Sequence, residues 1–212
     1  MKAKDIETKR LIYDFGIDEI YKNAKKALYK GDRSQMDDFL ASYGDDIARV
    51  CENLSQSRCR AVRTTRRKVG RAIRSGNAYF GTLTFKDEVL ENTTEETRRT
   101  YVARELKAIG FKYVANIDYG GENGREHYHF ILEPLPFMLA TWKNGEREYV
   151  DMPDLQNWCE KYGFVSIEKI GDTEKDEKKV AKYTAKLSAH ALKRSTMQGS
   201  KRPRLIYSRR QF

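Results

Sequence analysis

Two runs of alternating residues, joined by a glycine- and asparagine-rich stretch, constrain this chain more than any other feature. Residues 111–118 and 126–133 alternate as half-buried strands do, and residues 119–125 (YGGENGR) between them have the composition of a hairpin loop. Successive side chains of a strand point to opposite faces. Positions facing each other across an antiparallel pair sum to a constant, so same-face pairs keep their parity. Setting Asp118 opposite His127 therefore sets Asn116 opposite His129, with all four on one face. Phe111, Tyr113, Ala115 and Ile117 then share the other face with Tyr128 and Phe130. The apolar residues of both strands thus fall together, as one buried sheet face requires. Two imidazoles and the Asp118 carboxylate on a rigid scaffold suit Mg²⁺ or Mn²⁺, with positions left open for phosphate oxygens. The same side chains could also be exposed strand residues that hold no metal.

The surrounding sequence predicts further elements. Residues 78–85 (AYFGTLTF) are rich in aromatic and β-branched residues and read as a strand on which Thr82 and Thr84 share a face. Residues 94–109 read as a helix closed by Gly110, residues 151–162 as a helix opened by Asp151 and Pro153, and residues 164–170 as a strand. A helix over 173–192 and a short strand over 204–207 follow. The first six of these elements run β-α-β-β-α-β, which predicts an α+β fold with a ferredoxin-like split βαβ antiparallel sheet. A break near Ser75-Gly76-Asn77 separates this part, 76–212, from an N-terminal helical extension, 1–75. There Gly31-Asp32 and Tyr43-Gly44-Asp45 divide three or four helices.

The last of these helices, 56–74, carries two stripes. Cys59, Val62, Val69 and Ile73 recur at helical spacing, and beside them run Arg60, Arg63, Arg67, Arg71 and Arg74. An arginine face can be merely solvated, but arginine forks suit phosphate. Lysine and arginine total 41 against 31 acids, a net charge of +10, which favours a polyanionic partner. The three cysteines, Cys51, Cys59 and Cys159, lack metal-ligand spacing and point to reduced, structural thiols of a cytosolic protein. The N-terminus has no apolar signal region, and no run approaches the ~18 apolar residues of a membrane span, so no membrane association is expected.

The helix over 173–192 contains Tyr183 and Lys186, three residues apart and hence on one helical face, with Lys182 beside the tyrosine and His190 one turn beyond Lys186. A phenol is a weak nucleophile at its ordinary pKa of about 10. A metal on the phosphate and a lysine near the developing charge would make attack feasible. Packing of Tyr183 against Val180 and Leu187 is the plainer alternative.

FGTLTF (80–85), HYH (127–129) and YTAK (183–186) stand in the order and at the separations of the three motifs of the HUH endonuclease superfamily, which they resemble. The closest resemblance is to rolling-circle replication initiators of small bacteriophages and plasmids, carried by residues 77–90, 117–132 and 180–186. It extends over about residues 58–210, and residues 1–55 carry no motif of that family. The resemblance implies Tyr183 as nucleophile, Lys186 as its catalytic partner, and His127 and His129 as ligands of Mg²⁺ or Mn²⁺. It further implies a site-specific nick in single-stranded or cruciform origin DNA, a 5′-phosphotyrosine link and a free 3′-OH that primes synthesis. Asp118 matches the acidic position before the YG turn. His190 competes with it as third ligand, because related single-tyrosine transposases draw a ligand from the nucleophile helix. The DNA contacts expected are Arg60, Arg63, Arg67, Arg71, Arg74 and Lys182. The setting implied is the cytoplasm of a bacterial host, with the host helicase and polymerase as partners.

Two features depart from some relatives of that kind. YTAK holds a single tyrosine, so termination needs another route or a second protomer. No G-x-x-x-x-G-K-[ST] run is present, and the glycines at 120–124 lie in a hairpin without the lysine of a phosphate loop. The competing expectations are a single-tyrosine transposase or relaxase, and a non-enzymatic nucleic-acid-binding module on a ferredoxin-like sheet.

Overall fold

The computed structural model describes residues 3–73, 77–119, 125–135, 139–149, 155–171, 173–197 and 205–208. They form two compact units, one of Met1–Arg63 with Ala189–Pro203, the other of Thr64–Ser188 with Arg204–Phe212.

The first unit is helical. It contains α1 (Ala3–Asp14), α2 (Ile17–Leu28) and much of α3 (Ser34–Ile73). The expected break at Gly44 exists as a kink inside α3, where Gly44 takes φ 76°. Only glycine enters that left-handed region without a steric penalty. Ile12, Tyr13, Tyr21, Ala24, Phe39, Cys51 and Leu54 form the core. Asp18 is buried among them with Arg58 as its ion-pair partner at 3.1 Å.

The second unit is α+β. Its strands are β1 (Tyr79–Phe85), β2 (Gly110–Tyr119), β3 (Glu126–Pro134), β4 (Ala140–Lys143), β5 (Glu146–Tyr149), β6 (Gly163–Lys169) and β7 (Ile206–Tyr207). Its helices are α4 (Asp87–Asn92), α5 (Glu95–Ile109), α6 (Gln156–Tyr162) and α7 (Glu174–Met197), of which α7 runs on into the first unit. Five strands make an antiparallel sheet in the order β6-β1-β3-β2-β7, while β4 and β5 form a separate hairpin. The start of the expected 151–162 helix lies outside the described residues. No described helix is long and apolar enough to cross a membrane.

The alternation of the strands gives the sheet two different faces. One buries Leu83 and Phe85, Tyr113, Ala115 and Ile117, and Tyr128, Phe130 and Leu132. Helices α5 and α6 cover it, with Trp158 against Phe130 (5.7 Å between ring centres) and Val102, Leu106 and Ile109 buried along α5. Gly81 belongs to this face because a Cβ there would lie 2.2 Å from the Phe130 ring. A buried fork ties α5 to the start of β3: Arg98 Nε donates to Glu126 Oε1 at 3.0 Å, and Arg98 Nη2 donates to Oε2.

On the opposite face, Val114 and Ile131 cluster with Phe80, with Val69 and Ile73 of α3, and with Val180 and Ala181 of α7. Beyond this cluster the face continues into the polar residues of the candidate site.

Two expectations need correction. Phe111 is 48% exposed, because the β2–β3 ladder shifts register between Gly110 and Lys112 and Phe111 falls in that irregularity. A bulge frees one residue from the inward–outward alternation. Cys59 is exposed, and the buried stripe of α3 runs instead through Leu54, Ala61, Thr65, Val69 and Ile73.

Candidate active site

The strand pairing places Asp118 opposite His127 and Asn116 opposite His129, as the parity of the hairpin requires. Neighbouring β1 sets Thr84 opposite His127 and Thr82 opposite His129. The two imidazole rings stand edge to face, 4.9 Å apart. Their Nε2 atoms lie 3.3 Å (His127) and 3.8 Å (His129) from Asp118 Oδ2. One ligand atom from each of these three residues falls within 4.8 Å of the others, so the three could hold a metal ion.

The other ring nitrogens are engaged. His127 Nδ1 lies 3.2 Å from the Arg125 carbonyl oxygen, and His129 Nδ1 lies 2.9 Å from Thr82 Oγ1. A carbonyl only accepts, so His127 carries a proton on Nδ1. Arg125 is itself held: its guanidinium donates to the Phe85 carbonyl and pairs with Asp87 at 2.7 Å.

The polar balance of this cluster fits a cation. Asp118 Oδ1 and His129 Nε2 are buried and have no hydrogen-bond partner among the described residues. Buried polar atoms are almost always paired, so two orphans facing one centre call for a ligand. Burial alone would raise the Asp118 carboxyl. The His127 and His129 imidazoles and the Tyr119 backbone N–H outweigh it and hold that carboxyl well below the usual carboxylate range. A carboxylate kept ionised beside two imidazole lone pairs is a fitting donor set for a divalent ion.

Tyr183 flanks the cluster from α7. Its ring centre lies 5.5 Å from that of His129 and 6.0 Å from that of Phe80, while Phe80 stacks on His129 at 5.6 Å. Tyr183 is 45% exposed. Burial of its remainder, and then the Asp118 charge, push its hydroxyl above the ordinary phenol value. Thr184 behind it is buried and donates to the Val180 carbonyl at 2.9 Å, a bond internal to the helix.

Among the remaining candidates, Lys182 is exposed on α7, and Arg60, Arg63 and Arg67 are exposed on α3. The side chains of Lys186, His190 and Arg71, and all of Arg74, lie outside the described residues. Sequence reasoning misses two residues. Arg66 is a further exposed arginine on the same helix, three residues from Arg63, and the density of arginine around it is a signal that could have found it. Thr82 touches an imidazole, where the sequence offers only an unassigned hydroxyl.

The arrangement is a candidate divalent-cation centre with a half-exposed tyrosine at its rim, carried by the segment from β1 to α7. Residues 78–188, the same segment, match the family model of Replication-associated protein ORF2 and gene 2 protein. The chain belongs to this family and is a replication-associated protein. Comparison with curated proteins and with solved structures finds no match.

Proposed function

We propose that this protein initiates rolling-circle DNA replication as an HUH-type endonuclease and strand transferase. The observation that carries the reading is the Tyr183 ring 5.5 Å from His129, beside the His127, His129 and Asp118 cluster. The strand order supports it as well. Strands β6-β1-β3-β2, linked through α5 and α6, have the order of a ferredoxin-like split βαβ sheet.

In this mechanism Tyr183 Oη attacks the scissile phosphorus of single-stranded or cruciform origin DNA. The bond from phosphorus to the 3′ oxygen breaks, a 5′-phosphotyrosine forms, and the phenol proton is lost as the departing 3′ oxygen gains one. The free 3′-OH then primes synthesis by the host helicase and polymerase. Because the phosphotyrosine is itself a phosphodiester, a later 3′-OH can reverse the attack and rejoin the strand. Mg²⁺ or Mn²⁺ held by His127, His129 and Asp118 supplies positive charge to the phosphate oxygens. His127 and His129 orient the phosphate through that centre, and Asp118 keeps it anionic enough to retain a cation. Lys186, one turn beyond Tyr183, lies on the helical face suited to stabilising the developing charge.

The endonuclease comprises residues 76–212, and the helical region 1–75 contributes phosphate contacts through 56–74. Arg60, Arg63, Arg67, Arg71, Arg74 and Lys182 neutralise backbone charge. The setting is the cytoplasm of a bacterium carrying a phage or plasmid. A purely binding module on such a sheet would present stacking aromatics in the place of His127, His129 and Asp118.

The test is incubation with circular single-stranded DNA and Mn²⁺. Wild type should open the circle and remain covalently attached, Tyr183→Phe should do neither while binding DNA normally, and Lys186→Ala should slow cleavage about 10²-fold. An adduct that persists in Tyr183→Phe would refute the assignment.

A further inference from the structure

We infer that Thr82 is a positioning residue that fixes the tautomer of His129, accepting its Nδ1 proton and so turning an Nε2 lone pair toward Asp118. The metal consequence of this inference rests on the function proposed above, but the tautomer itself does not.

The contact is built into the sheet. Thr82 of β1 and His129 of β3 are direct cross-strand partners on one face, and Thr82 Oγ1 lies 2.9 Å from His129 Nδ1. A hydroxyl can donate or accept, so the distance alone leaves two protonation patterns. The surroundings decide between them. If Thr82 donated, the imidazole proton would sit on Nε2. That atom is buried, lies 3.8 Å from Asp118 Oδ2 and has no hydrogen-bond partner among the described residues. An N–H donor needs an acceptor within about 3.2 Å, so the proton would be stranded. With the proton on Nδ1 it meets Thr82 at hydrogen-bond distance, and the unpartnered atom is a lone pair aimed at the cluster. Phe80 stacked on one side of the ring and Tyr183 edge-on at another leave little freedom for the ring to turn and exchange its nitrogens.

His127 reaches the same state by a different device, a backbone carbonyl that no side-chain substitution removes. Thr82 is therefore the point at which the pair can be perturbed without touching a proposed ligand. Partners of this kind on ligating imidazoles are worth about 10–100-fold in metal affinity.

The test uses the full chain with Thr82→Val, which keeps the branched shape and removes the hydroxyl, and Thr82→Ser, which restores it. Long-range nitrogen–proton NMR of metal-free protein reads the His129 tautomer, and calorimetric titration with Mn²⁺ reads affinity. Wild type and Thr82→Ser should carry the proton on Nδ1. Thr82→Val should gain the Nε2–H form and bind Mn²⁺ about 10–100-fold more weakly. A wild-type proton on His129 Nε2, or full affinity in Thr82→Val beside a wild type that binds, would overturn the role of Thr82. Wild type that shows the Nδ1 tautomer yet binds no Mn²⁺ would instead overturn the metal reading and the affinity consequence with it.

Discussion

Replacing Glu126 by glutamine keeps the shape of the side chain and deletes its charge, which isolates the electrostatic part of the fork with Arg98. Both side chains are nearly excluded from solvent, at 10% for Arg98 and 7% for Glu126. The guanidinium also donates to the Leu90 carbonyl at 3.3 Å and to the Thr93 carbonyl, so it cannot swing out without abandoning the end of α4. Glu126→Gln therefore leaves a buried cation without a counter-charge. Breaking one side of a buried pair costs about 3–5 kcal/mol. For a chain of this length each kcal/mol moves the melting temperature by roughly 2–4 °C, so Tm should fall by roughly 6–20 °C. Thermal melts and urea titrations of the purified protein measure this, with the urea slope unchanged if only stability is affected. Arg98→Met combined with Glu126→Leu should recover most of the loss, since an apolar pair of similar volume has no charge to desolvate. A single substitution that costs under about 1 kcal/mol, or a double variant no better than Glu126→Gln, would refute the claim that charge, rather than packing, is at stake here. Because Glu126 is followed directly by His127, the destabilised strand end should weaken Mn²⁺ binding as well.

Asp118→Asn should abolish Mn²⁺ binding and nicking while leaving most DNA affinity, because lysine and arginine contacts to phosphate need no ion; calorimetry and gel shift on the same preparation check both. Changing Arg63 and Arg67 to glutamine should flatten the slope of log affinity against log salt by about 0.7 per contact on single strands, with no change in melting temperature. An unchanged slope would mean a solvated face. Burial first, and then its hydrogen bond to Glu52, push the Tyr21 hydroxyl up to about 12, so its contribution to stability is intact below pH ~10 and lost as pH rises through the raised value. Tyr21→Phe should lose stability less steeply than wild type across that window, and parallel curves in alkaline melts would count against the assignment.

The hairpin register is legible in the sequence because parity is discrete: once Asp118 faces His127, every other position of the pair follows. Phe111 escapes that logic because a bulge is set by how α5 hands over to β2, and alternation carries no record of it. The Thr82–His129 contact needs the knowledge that β1 lies beside β3, which no local pattern supplies across 47 positions of chain. The hairpin of β4 and β5 has a readable signal in its turn. Asn144 and Gly145 take φ 52° and 82°, the positive pair expected of an Asn-Gly two-residue turn. Its flanking strands are only four residues each, too short for alternation to register. On α3 the arginines fall on the exposed side as their spacing implies, but the apolar stripe does not pass through Cys59, because Ala61 and Thr65 fill that side. Small residues bury without announcing themselves by hydrophobicity.

The irregularity at Phe111 bears on how this protein can tolerate changes of length. Gly110 faces Pro134 and Lys112 faces Glu133, so without Phe111 the two flanking residues would become neighbours opposite neighbours in an unbroken ladder. A one-residue deletion at this point shortens the chain yet leaves Asp118 opposite His127, whereas the same deletion between Tyr113 and Ile117 would send the carboxylate to the wrong side of the sheet. The bulge is thus a slack joint upstream of the site, where indels are absorbed before they reach the residues whose spacing matters.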